Sequence, residues 1–294
     1  MVPSSAKWCK VVGKVCCLVL VLTASWAQAQ GVSVAPSRIL LDGNTKSATI
    51  FLSNRSNEAE TYRISLAYFT MEENGTLVRA DSLATAMANF GGEVLRYSPR
   101  RVVIPAGSSQ TVRLLVRRPR DRNVDDQEFR AHLSVTSVPT VPRLQEIEAE
   151  YPEVDGETQF MARPVASVET LVPIVVRFGH PEAQLSVASG GVIEDGPSGH
   201  PAVTFSLNRT GDRSLYGNLT VTHIDPMGNE SQVYYGRGIA VYTPNPRRVF
   251  TLTPPIEGLN LNSGRIVVDY QETPDGGGNL RSRVEINPSQ LSQR

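Results

Sequence analysis

An arginine stands in a row of otherwise apolar residues close to residue 40. The stretch GVSVAPSRILLDG, residues 31–43, alternates in the way that a β-strand does. One of its two parities carries Val32, Val34, Pro36, Arg38 and Leu40. This parity should face a hydrophobic core, because successive side chains of a strand point to opposite faces. A buried guanidinium without a partner is unfavourable, so Arg38 is predicted to have a partner or to lie where the core opens onto a cleft.

Other side chains that could do chemistry lack the spacing that catalysis or metal binding requires. The four histidines, at 132, 180, 200 and 223, form no HExxH or similar ligand pattern. GPSGH is not the G-x-S-x-G nucleophile elbow, and SGGVIEDG lacks the Lys-Ser/Thr ending of a phosphate loop. The acidic residues between 146 and 157 fall in a predicted flexible loop, where catalytic geometry is hard to hold. The sequence therefore predicts no enzyme activity, no metal site and no cofactor.

The first 29 residues have the features of a secretory signal peptide. Three lysines precede the apolar run CCLVLVLTA, which is too short to span a bilayer comfortably, and AQA at 27–29 is a small-x-small cleavage signal. Cleavage is predicted before Gln30. A membrane anchor is the less favoured alternative, because no long apolar stretch follows. All three cysteines lie in this segment, so the mature chain is predicted to have no disulfide.

The charge balance of the mature chain bears on one class of partner, nucleic acids. The whole chain has 29 basic and 29 acidic residues, and three of the basic ones are the signal-peptide lysines. The mature protein therefore carries 26 bases against 29 acids, a net charge near −3. This balance does not indicate nucleic-acid binding.

Alternating apolar stretches, separated by turn residues, predict an all-β chain. In the first half they are SATIFLSN, ETYRISLAYF, SQTVRLLVR, EFRAHLSV and LVPIVVRFG. The pattern resumes after residue 180, with dense Gly, Pro and Asn turns. We predict two β-sandwich domains, 30–179 and 180–294, with a short linker that holds them at a fixed angle around a cleft. The acidic segment 140–164 interrupts the pattern and is predicted to be a long exposed loop.

Four motifs follow one another along the first predicted domain. They are SRILLDGNTKSATIFLSNRSNEAETYRISL, YSPRRVVIPAGSSQTVRLLV, DDQEFRAHLSVTSVP and LVPIVVRFG. In this order they resemble the motifs of the PapD-like periplasmic chaperones that assemble pili with an outer-membrane usher. SLNRTGDRSLYGNLTV and GIAVYTPNPRR, in the second domain, look like a divergent branch of that family. The resemblance covers essentially the whole mature chain.

The resemblance implies an architecture and a function. Members of the family consist of two immunoglobulin-like sandwiches in an L shape, and the cleft between them receives a pilus or fimbrial subunit. The chaperone lends a strand to the subunit's incomplete sandwich, which is donor-strand complementation, and then delivers the subunit to the usher. The resemblance thus implies a periplasmic chaperone with subunits and an usher as partners, and with no nucleic acid and no transmembrane span.

The resemblance also implies how a subunit is anchored. Arg38 matches the arginine of the family that binds the subunit's C-terminal carboxylate, and a guanidinium can hold a carboxylate through two hydrogen bonds. The family's second cation is a lysine, and Pro173 stands at its position here. The carboxylate is therefore expected to use Arg38 together with backbone or hydroxyl donors such as Thr170. Arg130, on the polar parity of its strand, is the second choice.

Two charged residues match positions of an interdomain network in the family. They are Glu128 and Arg177. Such a pair could fix the angle between the domains. The alternative is a surface ion pair of little energetic value.

The donor strand is expected to precede Pro173. Ala162, Ala166 and Val168 share one parity and are predicted to enter the subunit's groove. The opposite register presents a different row, Met161, Val165 and Ser167. A slip of one residue exchanges the two faces, so the pattern leaves both registers open.

Two other functions fit parts of the sequence. A secreted two-domain immunoglobulin-like adhesion or scaffolding protein would have Arg38 exposed or paired internally, and no apolar strand facing a cleft. A secreted carbohydrate-active enzyme would need two carboxylates facing one groove, and only the acidic loop could supply them.

Overall fold

The structure, a computed structural model, describes residues 31–42, 45–80, 89–120, 123–139, 167–197, 199–256 and 258–287. Within these ranges the regular elements are strands and two short 3-10 turns, Gly91–Glu93 and Pro274–Gly276. None of the described residues forms a helix long and apolar enough to cross a membrane. The predicted signal peptide, Ala162, Ala166 and the segment 140–164 lie outside the described residues.

The first sandwich consists of two sheets and a small hairpin. Its strands are β1 Val32–Ala35, β2 Ile39–Leu41, β3 Ser47–Asn54, β4 Glu60–Ala67, β5 Phe69–Met71, β6 Leu77–Arg79, β7 Leu95–Ser98, β8 Arg101–Ile104, β9 Ser109–Val116, β10 Gln127–Val138 and β11 Glu169–Phe178. One sheet has the order β1-β3-β9-β7 and the other β2-β11-β10-β4-β8, while β5 and β6 pair with each other. Tyr62, Phe129 and Leu133 lie fully buried between the two sheets.

The row that carries Arg38 is interrupted and changes sheet. β1 pairs antiparallel with β3, whereas β2 pairs parallel with β11 in the opposite sheet. In β2 the residues buried in the core are Ile39 and Leu41. The prediction that Arg38 and Leu40 share a core-facing parity is therefore wrong. The chain bends between the two strands, and Leu40 instead lies against Gly277 of the second sandwich. A Cβ atom added to Gly277 would lie 2.6 Å from Leu40 Cδ2.

The second sandwich has a three-stranded and a four-stranded sheet. Its strands are β12 Ala183–Ile193, β13 Ala202–Gly211, β14 Leu215–Ile224, β15 Glu230–Val241, β16 Arg247–Leu252, β17 Arg265–Glu272 and β18 Arg281–Ile286. The sheet orders are β12-β13-β16 and β15-β14-β17-β18. Phe205 and Tyr270 are the largest side chains in the core between them. The prediction of an all-β chain with two sandwich domains is confirmed.

The link between the sandwiches is short and held in place. Strand β11 ends at Phe178 and β12 begins at Ala183. The backbone N–H of His180 donates to Asp126 Oδ1 at 2.7 Å. Gly179 has a φ of +65°, and a Cβ there would lie 2.3 Å from the same carboxylate oxygen. A glycine is required at this turn because a side chain would meet both the strain of a positive φ and this clash.

Candidate functional site

One face of the five-stranded sheet is polar and yet buried. Along β10 the apolar residues Phe129 and Leu133 face the first core, and Glu128, Arg130 and His132 alternate with them on the other face. Each of these three side chains is at most 4% exposed. They are covered by the second sandwich and by the β5–β6 hairpin. Buried polar groups need partners, so this face defines where the two sandwiches interact.

Glu128 and Arg177 form an ion pair at the boundary between the sandwiches. Arg177 Nε donates to Glu128 Oε2 at 3.0 Å, and the two side chains are 7% and 0% exposed. Both residues also bond across the boundary: Arg177 Nη1 donates to Gly276 O at 2.8 Å, and Ser214 N donates to Glu128 at 3.0 Å. The Ser214 hydroxyl donates to Glu128 as well and accepts from Thr243 N. The pair itself joins neighbouring strands β10 and β11 of the first sandwich, and its other hydrogen bonds reach the second. It is buried, unlike the surface pair that was the alternative.

A second buried ion pair extends this network within the second sandwich. Arg213 donates to both carboxylate oxygens of Glu272, at 2.6 and 2.9 Å, and its Nη1 also donates to Ser214 O at 3.3 Å. Hydrogen bonding to Glu272 raises the pKa of Arg213. Sequence reasoning missed both residues. A signal existed, because Glu272 follows Tyr270 on the core-facing parity of β17, and a charge in such a row indicates a partner.

Arg38 is held by neutral groups of the second sandwich. Its Nε donates to Asp275 O at 3.2 Å and its Nη1 to the Tyr242 hydroxyl at 3.1 Å. The guanidinium carbon lies 3.9 Å from the centre of the Tyr216 ring, a cation–π contact. The remaining amino group, Nη2, is buried and has no hydrogen-bond partner. Within the described part of the chain, no carboxylate forms an ion pair with Arg38.

A second cation without an ion pair, Arg130, also lies against the Tyr242 ring. The guanidinium carbon of Arg130 is 4.6 Å from the centre of that ring, and that of Arg38 is 5.9 Å from it. Arg130 Nη2 donates to Thr243 O, and Nε is 3.4 Å from the Thr243 hydroxyl. The guanidinium carbon of Arg130 is also 5.5 Å from the centre of the Tyr68 ring. Among the described residues neither arginine forms an ion pair with an acidic side chain, although Arg130 shares the Thr243 hydroxyl with Glu128.

His132 lies next to Arg130 on the same polar row of β10. Its ring packs edge-on against Phe69, with 4.8 Å between the ring centres, and its Nδ1 is buried without a hydrogen-bond partner. Burial lowers the pKa of His132 to about 4, and the positive charges of Arg130, Arg38 and Arg79 act in the same direction. His132 is therefore neutral at pH 7. The cations of the cleft are arginines, whose charge does not change in this pH range.

Among the described strands, none pairs with part of one edge of β11. β2 covers this edge only from Ile174 to Val176, and no described strand pairs with it from Glu169 to Pro173. Thr170 lies on the parity of β11 that faces the first core, with Val172. It is four residues before the contact with β2 and on the opposite face from the cleft. The structure therefore does not bring Thr170 to Arg38, and the hydroxyl beside Arg38 is that of Tyr242.

Val168 continues the same row of β11 past the end of the sandwich. Its side chain is 53% exposed. The backbone is held in place, because Ser137 N donates to Val168 O at 2.9 Å and Val168 N donates to the Ser137 hydroxyl at 2.8 Å. An apolar side chain is thus presented to solvent beside a free sheet edge.

The β5–β6 hairpin, residues 69–79, forms a second connection between the sandwiches, and we call it the strap. Near its turn, Glu73 pairs with Arg247 at 2.8 Å, and the backbone N–H of Val249 donates to Glu73 O at 2.6 Å. At its end, Arg79 pairs with Glu169 at the start of β11, at 2.5 Å. The ENG sequence predicts the turn of this hairpin, but no local pattern predicts that it contacts β16.

The described residues contain no group of three or more His, Cys, Asp or Glu side chains that could hold a metal ion. What the site can do chemically is bind. Two arginines, several phenol rings and a free strand edge favour an anionic, extended ligand.

Fold and site together define a two-domain β-sandwich protein with a basic, aromatic cleft. No model of a known protein family matches the chain, and no curated protein matches it. Solved structures that resemble it are chaperones. The YadV chaperone is 13% identical, with a TM-score of 0.45 over 87% of this chain and 99% of that one. The class 5 fimbriae chaperone CfaA is 12% identical, with a TM-score of 0.46 over 87% of this chain and 98% of that one.

A third similar structure is a chain of the CsuC–CsuE chaperone–tip adhesion subunit pre-assembly complex, from the archaic chaperone-usher Csu pili of Acinetobacter baumannii. The identity is 13% and the TM-score 0.43, over 87% of this chain and 98% of that one. The structural likeness is thus to pilus chaperones, at low sequence identity. With TM-scores below 0.5 it adds no weight to the assignment of function, which depends on the residues of this chain.

Proposed function

We propose that this protein is a periplasmic chaperone that binds pilus or fimbria-like subunits by donor-strand complementation and delivers them to an outer-membrane usher. The observation that carries the proposal is the state of Arg38. Its Nη2 is buried without a partner, and no carboxylate of the described residues pairs with it. A guanidinium in a partly desolvated cleft favours an anion such as the C-terminal carboxylate of a subunit.

A chain end bound at Arg38 would have a free sheet edge beside it. Arg38 immediately precedes β2, and β2 runs parallel to β11 from Ile174 onward. A strand that ends at Arg38 would lie in line with β2, run parallel to β11 and pair with the edge from Glu169 to Pro173. Its main-chain hydrogen bonds would extend the five-stranded sheet, which is β-augmentation.

The donor row of this strand is small. Val168 is exposed on the parity that continues the core-facing row of β11. Ala162 and Ala166, which share this parity, are proposed to extend it. Short side chains fit a shallow groove in the subunit, and covering that groove prevents aggregation of an unpaired edge.

The remaining parts of the proposal follow from the sequence. A cleavable signal peptide ending at residue 29 directs the protein to the periplasm. The chaperone acts by binding and catalyses no reaction. The usher then takes the subunit from the complex.

Co-expression with a candidate pilus subunit tests the proposal. The wild-type protein should keep the subunit soluble and copurify with it. Arg38→Ala should weaken the complex about 30-fold or more, because it removes one partner of a desolvated charge-assisted contact. Binding is measured by copurification and by calorimetry on the purified components.

Arg113→Ala is the matched control, because Arg113 is an exposed arginine on β9 in the other sheet of the same sandwich. This variant should bind the subunit as the wild type does. A complex that survives Arg38→Ala unchanged, in a protein whose thermal unfolding is also unchanged, contradicts the carboxylate anchor. A subunit that stays soluble without the chaperone contradicts the function itself.

The alternative, a secreted adhesion or scaffolding protein, expects Arg38 to be exposed or paired internally. Arg38 does bond to Asp275 O and the Tyr242 hydroxyl, but its Nη2 group has no partner, and this favours a ligand. Adhesion also gives no reason for the free edge of β11 beside an exposed Val168.

A further inference from the structure

The Tyr242 hydroxyl lies where a carboxylate bound to Arg38 needs a second donor. Pro173 stands where a lysine would otherwise supply one, and proline has no side-chain donor. The Tyr242 hydroxyl oxygen accepts a hydrogen bond from Arg38 Nη1 at 3.1 Å. A phenol can donate while it accepts. No residue in the described ranges accepts the O–H proton of Tyr242, so this donor is available to a ligand.

The guanidinium of Arg38 can adjust to a ligand without leaving its place. It lies over the flat Tyr216 ring, 3.9 Å from the ring centre. Stacking on an aromatic face is compatible with rotation of the guanidinium in its own plane. Such a rotation would direct the unpaired Nη2 toward an acceptor and keep the contact with Tyr216.

Arg130 is already engaged and is not the missing ligand. Its nitrogens bond to Thr243 and lie near Tyr68 and Phe69, whereas the equally buried Tyr242 keeps its O–H proton available. It can raise the potential at the site, because like Arg38 it lies against the Tyr242 ring. The groups that can contact the ligand are therefore Arg38 and a neutral hydrogen-bond donor.

We propose that Tyr242 is the second ligand of the subunit's C-terminal carboxylate. One carboxylate oxygen accepts from Arg38 and the other accepts from the Tyr242 hydroxyl. Hydrogen bonds from an O–H group to a carboxylate are short and about twice as strong as neutral ones. This inference rests on the proposed function.

The assignment has a consequence for the two domains. Arg38 belongs to the first sandwich, and Tyr242 follows β15 in the second. A carboxylate that binds both would bridge the sandwiches at the base of the cleft. Subunit binding would then depend on the angle between the domains as well as on the arginine.

Calorimetry with a synthetic peptide tests the role of Tyr242. The peptide reproduces the C-terminal strand of the subunit that copurifies with the protein, and it is made as the free acid and as the C-terminal amide. Tyr242→Phe removes one hydroxyl and retains the ring that Arg38 and Arg130 both contact. This variant should bind the acid peptide about tenfold to a hundredfold more weakly than the wild type, with a much smaller loss for the amide.

Tyr235→Phe is the matched control. The Tyr235 hydroxyl also accepts from an arginine, Arg237 Nε at 3.1 Å, but Tyr235 is exposed and is not among the contacts of Arg38, so removal of its hydroxyl should leave the affinity for both peptides unchanged. Equal losses for acid and amide in Tyr242→Phe would indicate a structural role and overturn the inference. An unchanged affinity for the acid peptide would overturn it as well.

The Arg38→Ala arm separates this inference from the proposed function. If Arg38→Ala abolishes binding and Tyr242→Phe does not, the chaperone function stands and the role of Tyr242 is wrong. If the wild type binds neither form of the peptide, both proposals fail. Thermal unfolding of each variant identifies any loss that comes from misfolding.

Discussion

Two Arg–Glu pairs lie where the sandwiches meet, one within a sheet of the first sandwich and one between the strap and the second sandwich. Glu128 and Arg177 meet at 3.0 Å, and Glu73 of the strap meets Arg247 at 2.8 Å. The first pair is 0% and 7% exposed, whereas the second is 51% and 54% exposed. The lesson is that burial, more than the separation of the atoms, decides how much such a pair matters.

The physical reason is whether water can solvate a charged side chain after its partner has been removed. Around Glu128 the remaining sites are used by Ser214 and Thr243, and the Glu128 side chain is fully buried. Removing one charge leaves the other buried and uncompensated. At the strap, water can solvate either side chain when its partner is removed, and salt screens their attraction.

The largest effect is expected from a break in the buried pair. Glu128→Gln should lower the free energy of unfolding by about 3–5 kcal/mol, because Arg177 then lacks its counter-charge. Urea denaturation, followed by circular dichroism, measures this change. Scattering in solution should also show a wider distribution of interdomain angles.

The double variant sharpens this result. Glu128→Gln with Arg177→Met removes both charges and should be less destabilised than Glu128→Gln alone. A single variant as stable as the wild type would show that the network is not needed to hold the sandwiches together.

An intermediate effect is expected at the root of the strap, where His132 packs on Phe69. The pKa of His132 is lowered to about 4 in the folded protein, mainly by burial, from an ordinary value near 6.5. Between these pH values the unfolded chain binds the proton and the folded protein does not. Stability should therefore fall as the pH decreases from about 6.5 to 4, by about 3 kcal/mol in all.

Comparison with a variant isolates this histidine from the acidic side chains that titrate nearby. His132→Phe should lack this component of the pH dependence, whereas His180→Gln should keep it, because His180 is exposed. The difference between the denaturation curves of the wild type and His132→Phe at pH 7, 5.5 and 4.5 is the measured quantity. If the stability of the wild type and of His132→Phe changed with pH in the same way, the pKa of His132 would not be lowered in the folded protein.

The smallest effect is expected at the exposed end of the strap. The hydrogen bond to Arg247 lowers the pKa of Glu73, but both side chains are solvated. Glu73→Ala should therefore leave the melting temperature almost unchanged, and added salt should remove any difference that remains. A shift as large as that of Glu128→Gln would mean that the strap carries the domain contact.

The sequence predicted most where a property is local to one strand. Alternation with a period of two marked the strands, the turns and the presence of two β domains. It also drew attention to Arg38, although it placed that residue on the wrong parity. The same kind of signal was present at Glu272 and was missed.

The sequence did not predict features that depend on which strands and loops contact each other in the folded protein. Thr170 was expected beside Arg38, but the parity of β11 places it on the core side of the sheet. Nothing in the sequence around Tyr242 indicates that two arginines lie against its ring. The contact of the strap with β16 joins residues that are far apart along the chain, and no periodicity relates them.

What the sequence by itself determined is therefore the set of strands, the all-β class and the residue, Arg38, that needed a partner. Side-chain alternation and turn chemistry are short-range effects, and they act before any tertiary contact is formed. Only the tertiary structure decided that β1 and β2 join different sheets, that Glu128 and Arg177 are buried, and that Tyr242 lies beside Arg38. These features depend on how two sandwiches pack around one polar face, and packing is a property of the whole chain.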